Sequence, residues 1–94
     1  MTSRTRSKMQ TEKVCYITGR TDNLELHHCL NGAYRKKCDK DGLTVWLTAS
    51  VHYYIHNTVE GTAVRLWLKQ EAQRVYERDH TREEFIKRYG KSYL

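Results

Sequence analysis

The sequence predicts an α+β fold in which short strands come first and helices follow. Leu43-Thr44-Val45-Trp46-Leu47-Thr48 is rich in β-branched and aromatic residues, which favour strands. Beyond residue 60 the apolar residues recur at helical spacing instead. Ninety-four residues without an internal repeat suit one small domain.

The N-terminal half is predicted to contain an arm, three strands and a loop. Residues 1–12 are polar and basic without periodicity, which indicates a flexible basic arm ahead of a single domain over 13–94. β-prone runs bounded by turn-forming residues predict strands over 14–17, 24–30 and 43–48. Residues 34–42 are densely charged, and this predicts a loop outside the core.

Three helices are predicted in the C-terminal half. The first follows the strand over 43–48, where Thr48 or Ser50 suits an N-cap. The second covers residues 63–79 and carries an apolar stripe that predicts a core-facing side. The third starts after Thr81, which has capping-box spacing to Glu84, and ends at Gly90.

Composition narrows the class of partner. Lys and Arg number 17 against 11 Asp and Glu, and a net charge of +6 favours a polyanionic partner, nucleic acid above all, although many small proteins have a basic solvated surface. Three cysteines without a secretory segment predict a cytoplasmic protein with reduced thiols. No run approaches the ~20 apolar residues of a membrane span, so no membrane partner is expected.

Four of the five histidines fall in two places, His27-His28 and His52-x3-His56. Histidines four apart on a helix share one face, and imidazole is the commonest side-chain ligand of transition metals. Two such ligands and one from a strand would form a half-open shell of the kind that hydrolytic metals use. The residues alone leave a metal site and unrelated histidines equally open.

This arrangement resembles the HNH (His-Me finger) endonucleases, in particular the colicin-type DNases and a group of small phage-encoded HNH proteins. The segments that carry the resemblance are Cys15–Gly19, Leu26–His28, Arg35–Leu43, His52–His56, Arg82–Ile86 and Tyr89–Leu94. The resemblance implies a ββα-metal core over about 13–60 and two additional C-terminal helices over about 61–94.

The resemblance also implies roles for the histidines. His27, His52 and His56 would bind one divalent ion (Mg, Mn, Ni or Zn), and His28 would be the catalytic general base. The basic residues expected to contact the DNA backbone are Arg35, Lys36, Lys37 and Lys40. Backbone contacts carry no sequence information, so low sequence specificity follows.

Two features depart from the family. Related proteins hold a structural zinc with two cysteine pairs, whereas this chain has Cys15 with Thr18, and then Thr48 and Val51, so no structural zinc knuckle is expected. The middle Asn of the HNH name is absent, and either Asp41 or the backbone of the loop is the candidate to replace it in orienting the base.

The leading hypothesis is a phage-type HNH DNA endonuclease that acts in the cytoplasm of a bacterial host. The alternative is a catalytically degenerate HNH-fold protein that binds nucleic acid, or that inhibits a host defence nuclease and so has a host protein as its partner. A third reading is a structural zinc domain whose shell is closed by Cys29 or Cys38. The helix bearing Trp67 is a candidate surface for a homodimer.

Overall fold

The structure is a computed structural model that describes residues 6–30 and 32–94. It confirms the α+β class, with two antiparallel strands and four helices in the described residues. In chain order the elements are β1 (Leu24–His28), a 3-10 turn (Gly32–Tyr34), α1 (Arg35–Asp41), β2 (Thr44–Thr48), α2 (Ala49–Asn57), α3 (Val59–Tyr76) and α4 (Arg82–Tyr89).

The two strands pair over their full length, with Leu24 opposite Thr48 and His28 opposite Thr44. The strand predicted over 14–17 is wrong. This segment forms a turn that Gly19 N closes onto Cys15 O at 2.8 Å.

Part of the predicted N-terminal arm lies along β2. Ser7 Oγ donates to Thr44 O at 2.5 Å, and Trp46 N donates to the side-chain oxygen of Gln10 at 2.6 Å. Residues 1–5 of the arm lie outside the described residues. The described part therefore satisfies backbone groups on the edge of β2 that a two-stranded sheet would otherwise leave open.

The charged loop predicted over 34–42 is instead the helix α1, so that prediction is wrong. Cys38 is fully buried and is the one described residue of α1 that enters the core. Gly42 ends the helix in the left-handed conformation (φ 71°) and donates its N–H to Cys38 O. One buried residue and a glycine cap therefore suffice for these two turns, whose other residues are exposed or half-buried.

The helices α2 and α3 meet at a close contact. Thr48 caps α2 by accepting from Val51 N, as predicted, and Thr58 caps α3 by accepting from Gly61 N. A Cβ on Gly61 would lie 2.2 Å from Tyr54 O, so this crossing requires a glycine. The cap at Thr58 also explains why α3 begins four residues before the predicted start at Ala63.

The last helix and the core follow the sequence pattern. Thr81 and Glu84 form both bonds of the predicted capping box, and α4 ends at Gly90. The core lies between the sheet, α2, α3 and α4, and its fully buried apolar members include Leu43, Val45, Leu47, Ile55, Leu68, Ala72 and Phe85. Within the described chain, no helix combines the length and the apolar character that crossing a membrane requires.

Candidate metal centre

The structure brings together the three histidines predicted to bind metal. His27 lies on β1, and His52 and His56 lie on α2. Their ring centroids are 5.3 Å apart for His27 and His52, 5.4 Å for His27 and His56, and 5.0 Å for His52 and His56. One ligand nitrogen from each ring lies within 4.8 Å of the other two.

The chain path explains this convergence. β2 runs antiparallel to β1 and passes without a linker into α2 at Ala49, so α2 is held close to β1. Residues four apart on a helix lie on one face, which gives His52 and His56 a common direction. His27 is 3% exposed beneath them.

His27 is the residue that most needs a ligand. Its Nε2 is buried and has no hydrogen-bond partner among the described residues. Burial, followed by the neighbouring His52 and His56, lowers the pKa of His27 to about 3. The ring is therefore neutral near pH 7 and keeps the lone pair that metal binding requires.

A divalent ion fits this donor set. Nitrogens about 2.0–2.1 Å from one shared ion are at most about 4.2 Å apart, so small ring rotations bring the three together. Three histidines leave further positions open, as a hydrolytic centre requires. The buried and unpartnered Nε2 of His27 is the observation that supports a bound ion.

Each of the two helix histidines contacts a charged side chain through Nδ1. His52 Nδ1 lies 2.8 Å from Glu25 Oε1, a contact that leaves Nε2 as the free ligand atom. His56 Nδ1 accepts from Arg65 Nη1 at 3.3 Å. Burial, then His52, then Arg65 lower the pKa of His56.

His28, the predicted base, lines the same cavity as the three candidate ligands. Its Nε2 lies 2.8 Å from Asp39 Oδ1. Asp41, which was expected to orient the base, instead accepts hydrogen bonds from Arg88 and Tyr89. Asp39 and Asp41 lie two residues apart on α1, so their side chains point about 200° from one another. Asp39 is the one that contacts His28, and Asp41 points to α4.

The cavity above the histidines has a volume of about 510 Å³ and a basic wall. Arg35, Arg65 and Lys69 line it. Burial, followed by Arg65 and Lys91, lowers the pKa of Lys69. Sequence reasoning missed Arg65 and Lys69, although their i, i+4 spacing on one helix was a readable signal.

Three of the basic residues predicted to bind DNA lie away from this cavity. Lys37 donates to Arg88 O at 3.0 Å. Lys40 lines a separate cavity with Lys8, and Lys36 is exposed. Their contact with DNA stays a prediction, and only Arg35 of the predicted four lines the histidine cavity.

The cysteines do not complete the shell. Among the described residues, the single group of three or more candidate metal-binding side chains is His27, His52 and His56. Burial raises the pKa of Cys38 to about 11, and burial also raises the pKa of Cys29 well above its usual value. Neither thiol belongs to the histidine group, so the closed zinc shell with Cys29 or Cys38 stays without geometric support in the described residues.

No family model, curated protein or solved structure matches this chain.

Proposed function

We propose that this protein is an HNH-type DNA endonuclease that hydrolyses phosphodiester bonds with one divalent ion and with low sequence specificity. In this proposal β1, β2 and α2 form a ββα-metal core, and α3 and α4 are the additional helices. The observation that carries it is that one ring nitrogen from each of His27, His52 and His56 lies within 4.8 Å of the other two. The Nε2 of His27 is also buried and has no hydrogen-bond partner among the described residues.

The chemistry divides between the ion and His28. A divalent ion held by the three histidines would polarise the scissile phosphate and stabilise the departing 3′ oxygen. His28 would take the proton from the attacking water. Asp39 occupies Nε2 of His28, so the basic nitrogen in this proposal is Nδ1.

The charge of the site suits a phosphate backbone. The chain carries a net charge of +6, and three cationic side chains line the cavity beside the histidines. Contacts to phosphate hold a duplex without reading its sequence, which supports low specificity.

A supercoiled-plasmid nicking assay with Mg²⁺, Mn²⁺ or Ni²⁺ tests the proposal. The wild type and His80→Ala are expected to nick alike, because His80 stacks on Tyr76 outside the cavity. His28→Ala is expected to nick at least 100-fold more slowly, the usual contribution of a general base.

The other outcomes are equally informative. Equal nicking by the wild type and His28→Ala would overturn the role of His28. The wild type could instead fail to nick DNA with any of the three metals and yet retard DNA in a gel or capture a host defence nuclease. That result would replace the endonuclease with the degenerate binding protein.

A further inference from the structure

We propose that Arg65 and Lys69 bind a phosphate group of nucleic acid in the histidine cavity, and that a metal ion on His56 releases Arg65 for this role. The proposal rests on the proposed function, because it assumes that His56 binds the ion. It adds two residues of α3 that the histidine pattern does not contain.

The first step is a conflict at His56. Arg65 Nη1 lies 3.3 Å from His56 Nδ1, and a guanidinium can only donate, so Nδ1 must accept. A neutral imidazole has one accepting nitrogen, and the other carries a hydrogen. His56 therefore cannot hold an ion and this hydrogen bond at once, whichever nitrogen binds the ion.

The second step is the positive charge of the cavity wall, which no carboxylate of the described residues neutralises. Arg35, Arg65 and Lys69 line the cavity. The Arg side chains found in ion pairs with carboxylates in the described chain are Arg20, Arg74, Arg82 and Arg88. The cavity cations therefore have no carboxylate partner among the described residues, and an anion is the ligand that would neutralise them.

The third step is the position of Arg65 and Lys69. One helical turn separates them, so they present adjacent cations to the cavity that the histidines line. The close approach of α3 to α2 at Gly61, where a Cβ would lie 2.2 Å from Tyr54 O, fixes α3 against α2 one turn earlier. Once Arg65 leaves His56, its fork of donors suits two oxygens of one phosphate.

Two binding measurements on one variant test this exchange. In a His28→Ala background, which keeps DNA intact, Ni²⁺ affinity is measured by calorimetry and binding of a short duplex with Ni²⁺ by fluorescence anisotropy. Arg65→Gln is expected to bind Ni²⁺ about 2- to 10-fold more tightly, because the competing hydrogen bond is gone. It is expected to bind the duplex about tenfold more weakly.

Matched variants separate this from a general loss of charge. Arg74→Gln removes a cation from the same helix, where Arg74 pairs with Glu71, and is expected to change neither affinity more than twofold. Lys69→Gln is expected to weaken duplex binding only. Arg65→Lys keeps the charge but loses the two-pronged contact, so its duplex affinity should fall between those of the wild type and Arg65→Gln.

The opposite signs make the outcome decisive. Ni²⁺ affinity that is unchanged or weaker in Arg65→Gln, or duplex affinity equal to that of Arg74→Gln, would overturn the proposal. A protein that shows the exchange but never nicks DNA would overturn the endonuclease and leave the exchange standing. A wild type that binds no Ni²⁺ would overturn both.

Discussion

At the scale of single residues, the four cavity histidines differ in what each contacts besides the candidate ion. The contacts are Glu25 for His52, Arg65 for His56 and Asp39 for His28, and the Nε2 of His27 has none among the described residues. At His52 and His28 the nitrogen that is already held fixes which nitrogen remains for chemistry, whereas at His56 the hydrogen bond from Arg65 competes with an ion. The charged neighbours therefore distinguish the four rings from one another.

The low pKa of His27 predicts acid sensitivity of the metal-free protein. The pKa is about 3 in the folded state against an ordinary value of 6.5, so the unfolded chain binds the extra proton between these pH values. The contribution of His27 to the free energy of unfolding is therefore fully present above pH 6.5. Below pH 6.5 it is lost by at most about 1.4 kcal/mol per pH unit. Urea denaturation in a chelator at pH 7 and pH 5 measures this loss.

His27→Leu is the matched variant for this prediction. Leucine is of similar size and cannot bind a proton, so the difference between pH 7 and pH 5 should shrink by up to about 2 kcal/mol. An unchanged difference would show that another group controls the acid sensitivity.

Glu25 is predicted to strengthen metal binding by holding the ring of His52. Its Oε1 lies 2.8 Å from His52 Nδ1, and loss of such a partner commonly weakens a metal site 10- to 100-fold. Because Glu25 is half exposed, we expect Glu25→Ala to weaken Ni²⁺ binding by about tenfold in calorimetry. Glu83→Ala removes an exposed carboxylate on α4 and should bind Ni²⁺ like the wild type; an equal loss in both variants would contradict the account.

At the scale of elements, local patterns predicted those helices and strands that carry their own signals. The β-branched run of β2, the cap at Thr48 and the capping box at Thr81 were all visible in the sequence. α1 was missed because its outward residues look like a solvated loop and Cys38 alone enters the core. The strand predicted over 14–17 is wrong because the N–H of Gly19 bonds back to Cys15 O and closes this segment into a turn.

The site, too, combines features that local sequence patterns reveal with features that they do not. The spacing of His52 and His56 is local, and the structure places both beside His27. The contacts of Arg65 and Asp39 depend on how α3 and α1 pack, and residue spacing along the chain does not reveal that packing. Asp41 was therefore the residue chosen from the sequence, although Asp39 makes the contact with His28.

The crossing of α2 and α3 predicts a sharp difference between two glycines. In Gly61→Ala the new Cβ would lie 2.2 Å from Tyr54 O and 2.6 Å from Ile55 Cα, both backbone atoms, so the helices must separate. We expect a loss of about 2 kcal/mol or more in the free energy of unfolding, together with weaker Ni²⁺ binding.

Gly32→Ala is the control, because nothing lies within 4 Å of a Cβ there. Its stability should stay within about 0.5 kcal/mol of the wild type in the same thermal or urea denaturation. Equal stability of the two variants would contradict the packing described for α2 and α3.

At the scale of the whole molecule, the C-terminal helix supports the site from the far side. Arg88 donates to Asp41 at 2.6 Å and Tyr89 also contacts this carboxylate, so α4 holds α1, the helix that carries Asp39. Tyr93 N donates to Gln73 Oε1 at 2.7 Å and fixes the chain end to α3. The segment beyond the histidines thus positions both cavity walls.

The surface around Trp67 is the candidate surface for a partner. Trp67 is 41% exposed and lies 5.8 Å from Tyr16, measured between ring centroids. A homodimer through this surface stays a prediction. Light scattering of the wild type against Trp67→Ser tests it, and a monomeric wild type would contradict it.

The central claim is that His27, His52 and His56 bind one divalent ion. Anomalous diffraction from crystals of the wild type grown with Ni²⁺ tests it most directly. We expect one strong peak about 2.0–2.1 Å from a nitrogen of each of the three rings, on the side of the cavity. A peak that lies elsewhere, or no peak at a Ni²⁺ concentration that saturates other histidine sites, would contradict the account.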